Sequence, residues 1–212
     1  MTRSIRRPIA VARLAFGTII VGILTYTFGL LANTHGISLI DYFGFFTNLT
    51  SLLTAIVLIL TGAAGWTRHS FSVPLTLARA VATACMMLVA IIYNVLVPGT
   101  GAAPPWVSAV LHIALPALML LDWIVIRDHP GVQWRHFWVL LPYPLVWLVV
   151  VLIRGVTDGW VPYGFLLPER GWPNILLTSL GLLLALGAAG MVVWATRGSS
   201  PGLSGQRTEA PR

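Results

Sequence analysis

Residues 74–97 read PLTLARAVATACMMLVAIIYNVLV, a run in which Arg79 is the only charged side chain. A helix rises about 1.5 Å per residue and a bilayer core is about 30 Å thick, so about 20 apolar residues suffice to cross it. This run is long enough. Pro74 marks its start, and ProGlyThrGly at 98–101 follows its end. Runs of similar size lie near 9–33, 43–64, 105–126, 136–154 and 174–196. The chain therefore predicts an all-α polytopic membrane bundle of six transmembrane helices. Residues 1–197 form one domain in this reading, with no internal repeat. The tail 198–212 is rich in Gly, Ser, Pro and charge and is expected to be a disordered cytoplasmic segment.

Composition agrees with a lipid solvent. Of 212 residues, 57% are hydrophobic and 9% charged, against roughly 25% charged in soluble domains. The net charge of +7 does not gather into one basic stripe, which argues against a nucleic-acid partner. All 13 basic residues are arginine. Beside the many Ala, Gly and Val residues, that usage suggests a high-G+C, bacterial source. Cys85 is the single cysteine, which excludes an internal disulfide and a multi-thiolate metal site.

The first run follows Arg3, Arg6 and Arg7, yet its length and the lack of a small-residue cleavage site read as a retained span. With the N-terminus inside, Arg3, Arg6, Arg7, Arg13, Arg68, Arg79, Arg127, Arg135, Arg197, Arg207 and Arg212 fall on or near the cytoplasmic side. Arg154 and Arg170 are left outside. The positive-inside rule thus predicts an N-in/C-in protein of the bacterial cytoplasmic membrane. Trp66, Trp106, Trp123, Trp160, Trp172 and Trp194 lie near span ends and are expected to be interfacial anchors. The longest loop, GVTDGWVPYGFLLPERGWP at 155–173, is apolar enough to pack as a flap on the outer surface.

Polar groups inside the spans are the candidates for function. In FGFFTNLTSLLTA, Thr47, Thr50 or Ser51, and Thr54 recur at helical spacing and share an inward face. The simplest expectation is that each hydroxyl bonds its own helix's carbonyl four residues back. The Asn48 amide needs more than one backbone carbonyl and is expected to bond across helices. His112, in VLHIALPALMLLDW, is the one histidine within a span. An ionisable group there is a functional candidate, with a bond to a neighbouring hydroxyl as the alternative. Pro116 leaves the His112 carbonyl without its helical donor, so the helix should bend there.

By helical rise, Thr47 lies about 6 Å below the outer face and His112 about 9 Å. Tyr93 and Asn94 approach the same half. Asp122 lies about 15 Å along the helix from His112, so its expected role is a structural ion pair with Arg79 or Arg127.

Three segments carry a resemblance: FFTNLTSLL at 45–53, IIYNVL at 91–96 and LHIALPALMLLDW at 111–123. They resemble the androgen-induced and androgen-dependent TFPI-regulating membrane proteins and, more closely, bacterial relatives called Pr6Pr family membrane proteins. The resemblance spans roughly residues 10–195. It implies a six-span hydrolase of fatty-acid esters of hydroxy fatty acids, with Thr47 as nucleophile and His112 as its partner. A threonine hydroxyl needs a base within about 2.6–3.2 Å to take its proton, and neutral imidazole can do so. Asn48, Tyr93 and Asn94 are the candidates for substrate contact, with Asn48 or Tyr93 as oxyanion donor. No cofactor or metal is implied, and the expected partner is a membrane lipid.

The competing expectation is a non-enzymatic membrane protein, either a small-solute or lipid transporter or a partner-binding scaffold. The interruptions at Pro116 and at Pro142 and Pro144 do not form the matched pair common in transporters. A bis-histidine haem carrier fails, because one histidine cannot supply two axial ligands.

Overall fold

The computed structural model describes residues 3–67, 71–126, 128 and 131–197. The 198–212 tail and Arg127 lie outside these residues. Six helices are long and apolar enough to cross a membrane, and no strand occurs among the described residues. The protein is a multi-pass membrane helical bundle.

The first span is α1, Arg3–His35. A short helix α2, Leu39–Gly44, then lies ahead of the second span, α3, Phe46–Trp66. The run read from the sequence, 43–64, begins inside α2 and does not show it as a separate helix. Ser38 caps α2 by accepting from the Asp41 N–H at 3.1 Å, and Phe45 is extended at φ −68° and ψ 125°, which separates the helices. The third span is α4, Val73–Leu96, capped by Ser72 and with Pro74 in its first turn.

The fourth span is composite: α5, Pro105–Ala109, a π turn Val110–Ala114, and α6, Leu115–Val125. The fifth begins as a 3-10 stretch, Trp134–Leu140, and continues as α7, Pro142–Thr157. Two single 3-10 turns, Gly164–Leu166 and Pro168–Arg170, precede the sixth span, α8, Trp172–Ala195.

An even number of crossings puts the start of α1 and the finish of α8 at one end of the bundle, here the terminal end. The opposite, loop end carries α2, the 97–104 connection and the 158–171 flap. α4 is the most buried span and α7 the least. Lipid tails are as apolar as leucine, so close packing and polar contacts must hold such helices together. α1 and α3 meet through glycine. A Cβ at Gly17 would lie 2.8 Å from the Ala55 carbonyl oxygen, and one at Gly62 would lie 2.9 Å from that of Ala10.

At the terminal end four charges from α1, α4, α6 and the following loop form a closed network. Arg13 reaches Asp122 at 3.0 Å and Asp128 at 2.7 Å. Arg79 reaches the same two carboxylates at 2.6 and 2.8 Å, and its guanidinium also donates to the Asp122 carbonyl at 2.7 Å. Arg79 is 1% exposed. Asp122 therefore pairs with Arg79, as its position suggested, and also with Arg13, whose role the sequence did not reveal. Two of the expected tryptophan anchors are corrected. Trp123 and Trp194 are fully buried and donate to the carbonyls of Val193 at 2.9 Å and Gln133 at 3.2 Å. Trp66, Trp106 and Trp172 are exposed near span ends.

Removing one member of a buried ion network leaves its partners uncompensated at a cost of about 3–5 kcal/mol. Asp122→Ala should therefore lower unfolding stability in detergent far more than Leu121→Ala, its exposed neighbour. Denaturant titration followed by circular dichroism measures the difference.

Asp128 lies beyond the span and gives a pH test. Burial pushes its carboxyl up, but the guanidinium groups of Arg13 and Arg79 outweigh that and hold it below the ordinary 3.8. A depressed folded pKa contributes stability above the unfolded value, lost as pH falls through the folded one. The melting temperature should drop on acidification below about 4, and Asp128→Asn should flatten that dependence. Thermal scans of both proteins across the acid range check it.

Candidate functional site

The inward face of α3 does not behave as periodicity alone suggests. Thr50, Ser51 and Thr54 are fully buried, but none of their hydroxyls bonds the helix's own carbonyls. Thr50 instead shares a hydrogen bond of 2.8 Å with the Tyr143 hydroxyl of α7, and the Ser51 and Thr54 oxygens have no partner among the described residues. Local bonding is the rule elsewhere: Thr27, Thr61, Thr76 and Thr83 each donate to the carbonyl four residues back. Asn48 donates to the Tyr42 carbonyl of α2 at 2.8 Å, not to another span. One of its two amide hydrogens remains unspent by that bond.

The π turn explains how the fourth span absorbs Pro116. The Leu115 N–H donates to the Val110 carbonyl five residues back, which widens the helix where proline removes a donor. His112 sits in this widened turn. Its Nδ1 lies 2.9 Å from the Ser108 carbonyl oxygen, which can only accept. Nδ1 therefore carries the proton in the neutral ring, and Nε2 presents its lone pair. The imidazole is stacked on Tyr93, with centroids 3.6 Å apart and planes 12° from parallel. That contact fixes the ring plane from a second span.

The π turn and the loop-end start of α3 open onto one cavity of about 750 Å³ in the loop-end half of the bundle. Thr47, Asn48, Tyr93 and His112 all line it. Asn94 does not: it is exposed and donates to its own helix's Ala90 carbonyl at 2.8 Å. No hydrogen bond among the described residues joins Thr47 to His112. Thr47 and Tyr163 of the flap both line the cavity. Burial raises the Tyr163 phenol above its ordinary value, and hydrogen bonding by Thr47 partly opposes the shift.

Tyr163, Trp147, Ser108 and His35 also line the cavity, and the sequence reading did not single them out. Tyr163 had a signal, since its loop is too aromatic to be a solvated linker. Ser108 acts through its backbone, and the identity of a residue does not announce that role. The remaining walls are mostly leucine, valine and proline. Among the described residues no group of three His, Cys, Asp or Glu side chains could hold a metal ion.

The flap forms the roof. Trp160 meets Phe45 edge-on at 5.9 Å, and Tyr163 meets the same ring at 5.9 Å. Trp147 donates to the Gly44 carbonyl at 2.8 Å, while the Trp160 indole occupies the space a Cβ at Gly44 would need. Arg154 binds Asp41 and Asp158, both at 2.8 Å, and stacks over Trp160 at 4.2 Å. α2, the end of α7 and the flap are thus tied at a single guanidinium. Hydrogen bonding from Ser38, with a further contribution from Arg154, lowers the Asp41 carboxyl below its ordinary value despite opposing desolvation.

Comparison of the chain with family models, curated proteins and solved structures finds no match. The chemistry of the cavity therefore carries the functional reading.

Gly44→Val should displace Trp160 and loosen the roof without touching the terminal charge network. Hydrogen exchange should then quicken across residues 158–171 and stay unchanged around Arg79 and Asp122.

Proposed function

We propose that this protein is an intramembrane hydrolase of lipid esters, with Thr47 as nucleophile and His112 as general base. The observation that supports it is that both side chains line one apolar cavity at the same end of the bundle, where His112 is held by Ser108 and Tyr93 with Nε2 free. The resemblance of three segments to the androgen-induced and Pr6Pr membrane proteins points the same way.

Thr47 Oγ1 attacks the ester carbonyl carbon as its proton passes to Nε2 of His112. The tetrahedral intermediate collapses, the alcohol leaves with that proton, and water hydrolyses the acyl-threonine by the same base. The developing oxyanion needs donors in a site from which water is excluded. Asn48, which has a second amide hydrogen to offer, and Tyr163 and Tyr93 line the same cavity. Thr47 must approach Nε2 when substrate binds, and catalytic hydrogen bonds commonly tighten at that stage. The arginine distribution supports a loop end facing away from the cytoplasm, in a bacterial cytoplasmic membrane.

A second reading is favoured by the absence of a Thr47–His112 hydrogen bond: a membrane protein that binds or moves a lipid without cleaving it. The two separate in one experiment. A lipid-like fluorophosphonate should label the wild type at Thr47, and ester turnover should fall about 10²–10⁴-fold in His112→Gln. Equal labelling of wild type, Thr47→Ala and His112→Ala ends the hydrolase reading. Saturable lipid binding without turnover, unchanged by Thr47→Ala, establishes the other.

A further inference from the structure

α8 is fastened to the bundle at its two ends and not between them. Toward the terminal end Leu186, Ala189, Gly190, Val193 and Trp194 are buried, and near the loop end Ile175 alone is buried. In the intervening stretch Leu176, Leu180 and Leu183 are 66%, 53% and 40% exposed, yet all three line the cavity. From α7, Leu145 lines it and is 44% exposed. α7 itself buries only Val151 among its residues and has little direct packing against α8. The cavity wall is therefore incomplete between these two spans.

We propose that the gap between α7 and residues 176–183 of α8 admits one acyl chain of a membrane lipid sideways into the cavity. This rests on the reading that the cavity holds a lipid ester, and it identifies that substrate as a resident of the leaflet at the loop end. Both walls of the gap belong to membrane spans, so the medium against them is hydrocarbon. Its rim is leucine and proline. Ser179 of the same stretch of α8 also lines the cavity, and its buried hydroxyl is the one polar group there, without a hydrogen-bond partner among the described residues. An acyl chain satisfies such a surface and stays continuous with the bilayer.

The proposed reacting groups, Thr47 and His112, with Asn48 and Tyr93 beside them, come from other elements, α3, α4 and the π turn. A chain lying in the gap thus presents its ester toward His112 and Thr47. The second possible way in, at the loop end beside His35, Thr100 and Gly101, is exposed and more polar. It suits a headgroup or a leaving product better than a chain.

The test uses the full chain in phosphatidylcholine nanodiscs containing a lipid with a diazirine near the end of one acyl chain. After photolysis, mass spectrometry maps the adducts. Adducts are expected on Leu88 and Val89 of α4, which line the cavity and are buried from the bilayer. Leu180→Trp and, separately, Leu145→Trp should reduce these interior adducts to background, because each fills the gap from one side. Ala102→Trp, at the loop-end mouth, should leave them unchanged. Leu180 and Leu145 are exposed, and circular dichroism with the retained terminal-end exchange pattern verifies each fold.

Interior adducts that persist in both gap variants, or vanish in Ala102→Trp, overturn the proposal. Repeating the map in His112→Ala separates it from the hydrolase reading. Adducts blocked by Leu180→Trp in a protein that cleaves no ester leave the sideways path standing while hydrolysis falls.

Discussion

The bundle depends on a four-charge knot at its terminal end. Arg13, Arg79, Asp122 and Asp128 come from α1, α4, α6 and the loop beyond it, and none can be left unpaired in a medium that solvates ions poorly. Their mutual compensation fixes three spans at a common level. α8 joins the same end through the Trp123 and Trp194 indoles and through close packing at Gly190. With one end closed this tightly, helix packing at the other end can be looser. That is where the cavity lies.

Polar groups within the spans sort by how they find partners. Most hydroxyls are satisfied inside their own helix and carry no message about the fold. Three that are not lie on the face of α3: Thr50 meets Tyr143 of α7, while Ser51 and Thr54 have no hydrogen-bond partner among the described residues. His112 combines both habits. Its Nδ1 uses a local backbone carbonyl, and that bond sets which nitrogen is free for chemistry. The π turn that carries it is a local solution to a missing proline donor, and it holds the imidazole against Tyr93.

The roof has its own logic. At the loop end a single guanidinium, Arg154, joins α2, α7 and the flap, and its stacking on Trp160 holds that ring in the notch above Gly44. An aromatic lid held by one partly exposed ion cluster is weaker than the buried knot opposite, because water screens pairs it can reach. The molecule is thus held more firmly at its terminal end than under the roof of the cavity.

The sequence by itself determined the six spans, because chain length and apolarity against bilayer thickness leave little choice for the backbone. It also placed Thr47, Asn48, Tyr93 and His112 in one half of the bundle, since helical rise converts residue number into depth. It could not supply azimuth or partner. Arg13 looked like one more flanking cation, Trp123 and Trp194 looked like surface anchors, and Asn94 looked equivalent to Tyr93. α2 was invisible as a separate helix, because the break that ends it is made by the extended backbone of Phe45, a residue that carries no turn signal. Only the tertiary structure decided which faces meet, because rotation of each helix about its axis is set by the summed packing of all its neighbours. The same packing left α7 and α8 apart, and that separation made a cavity out of what sequence could describe only as a shared depth.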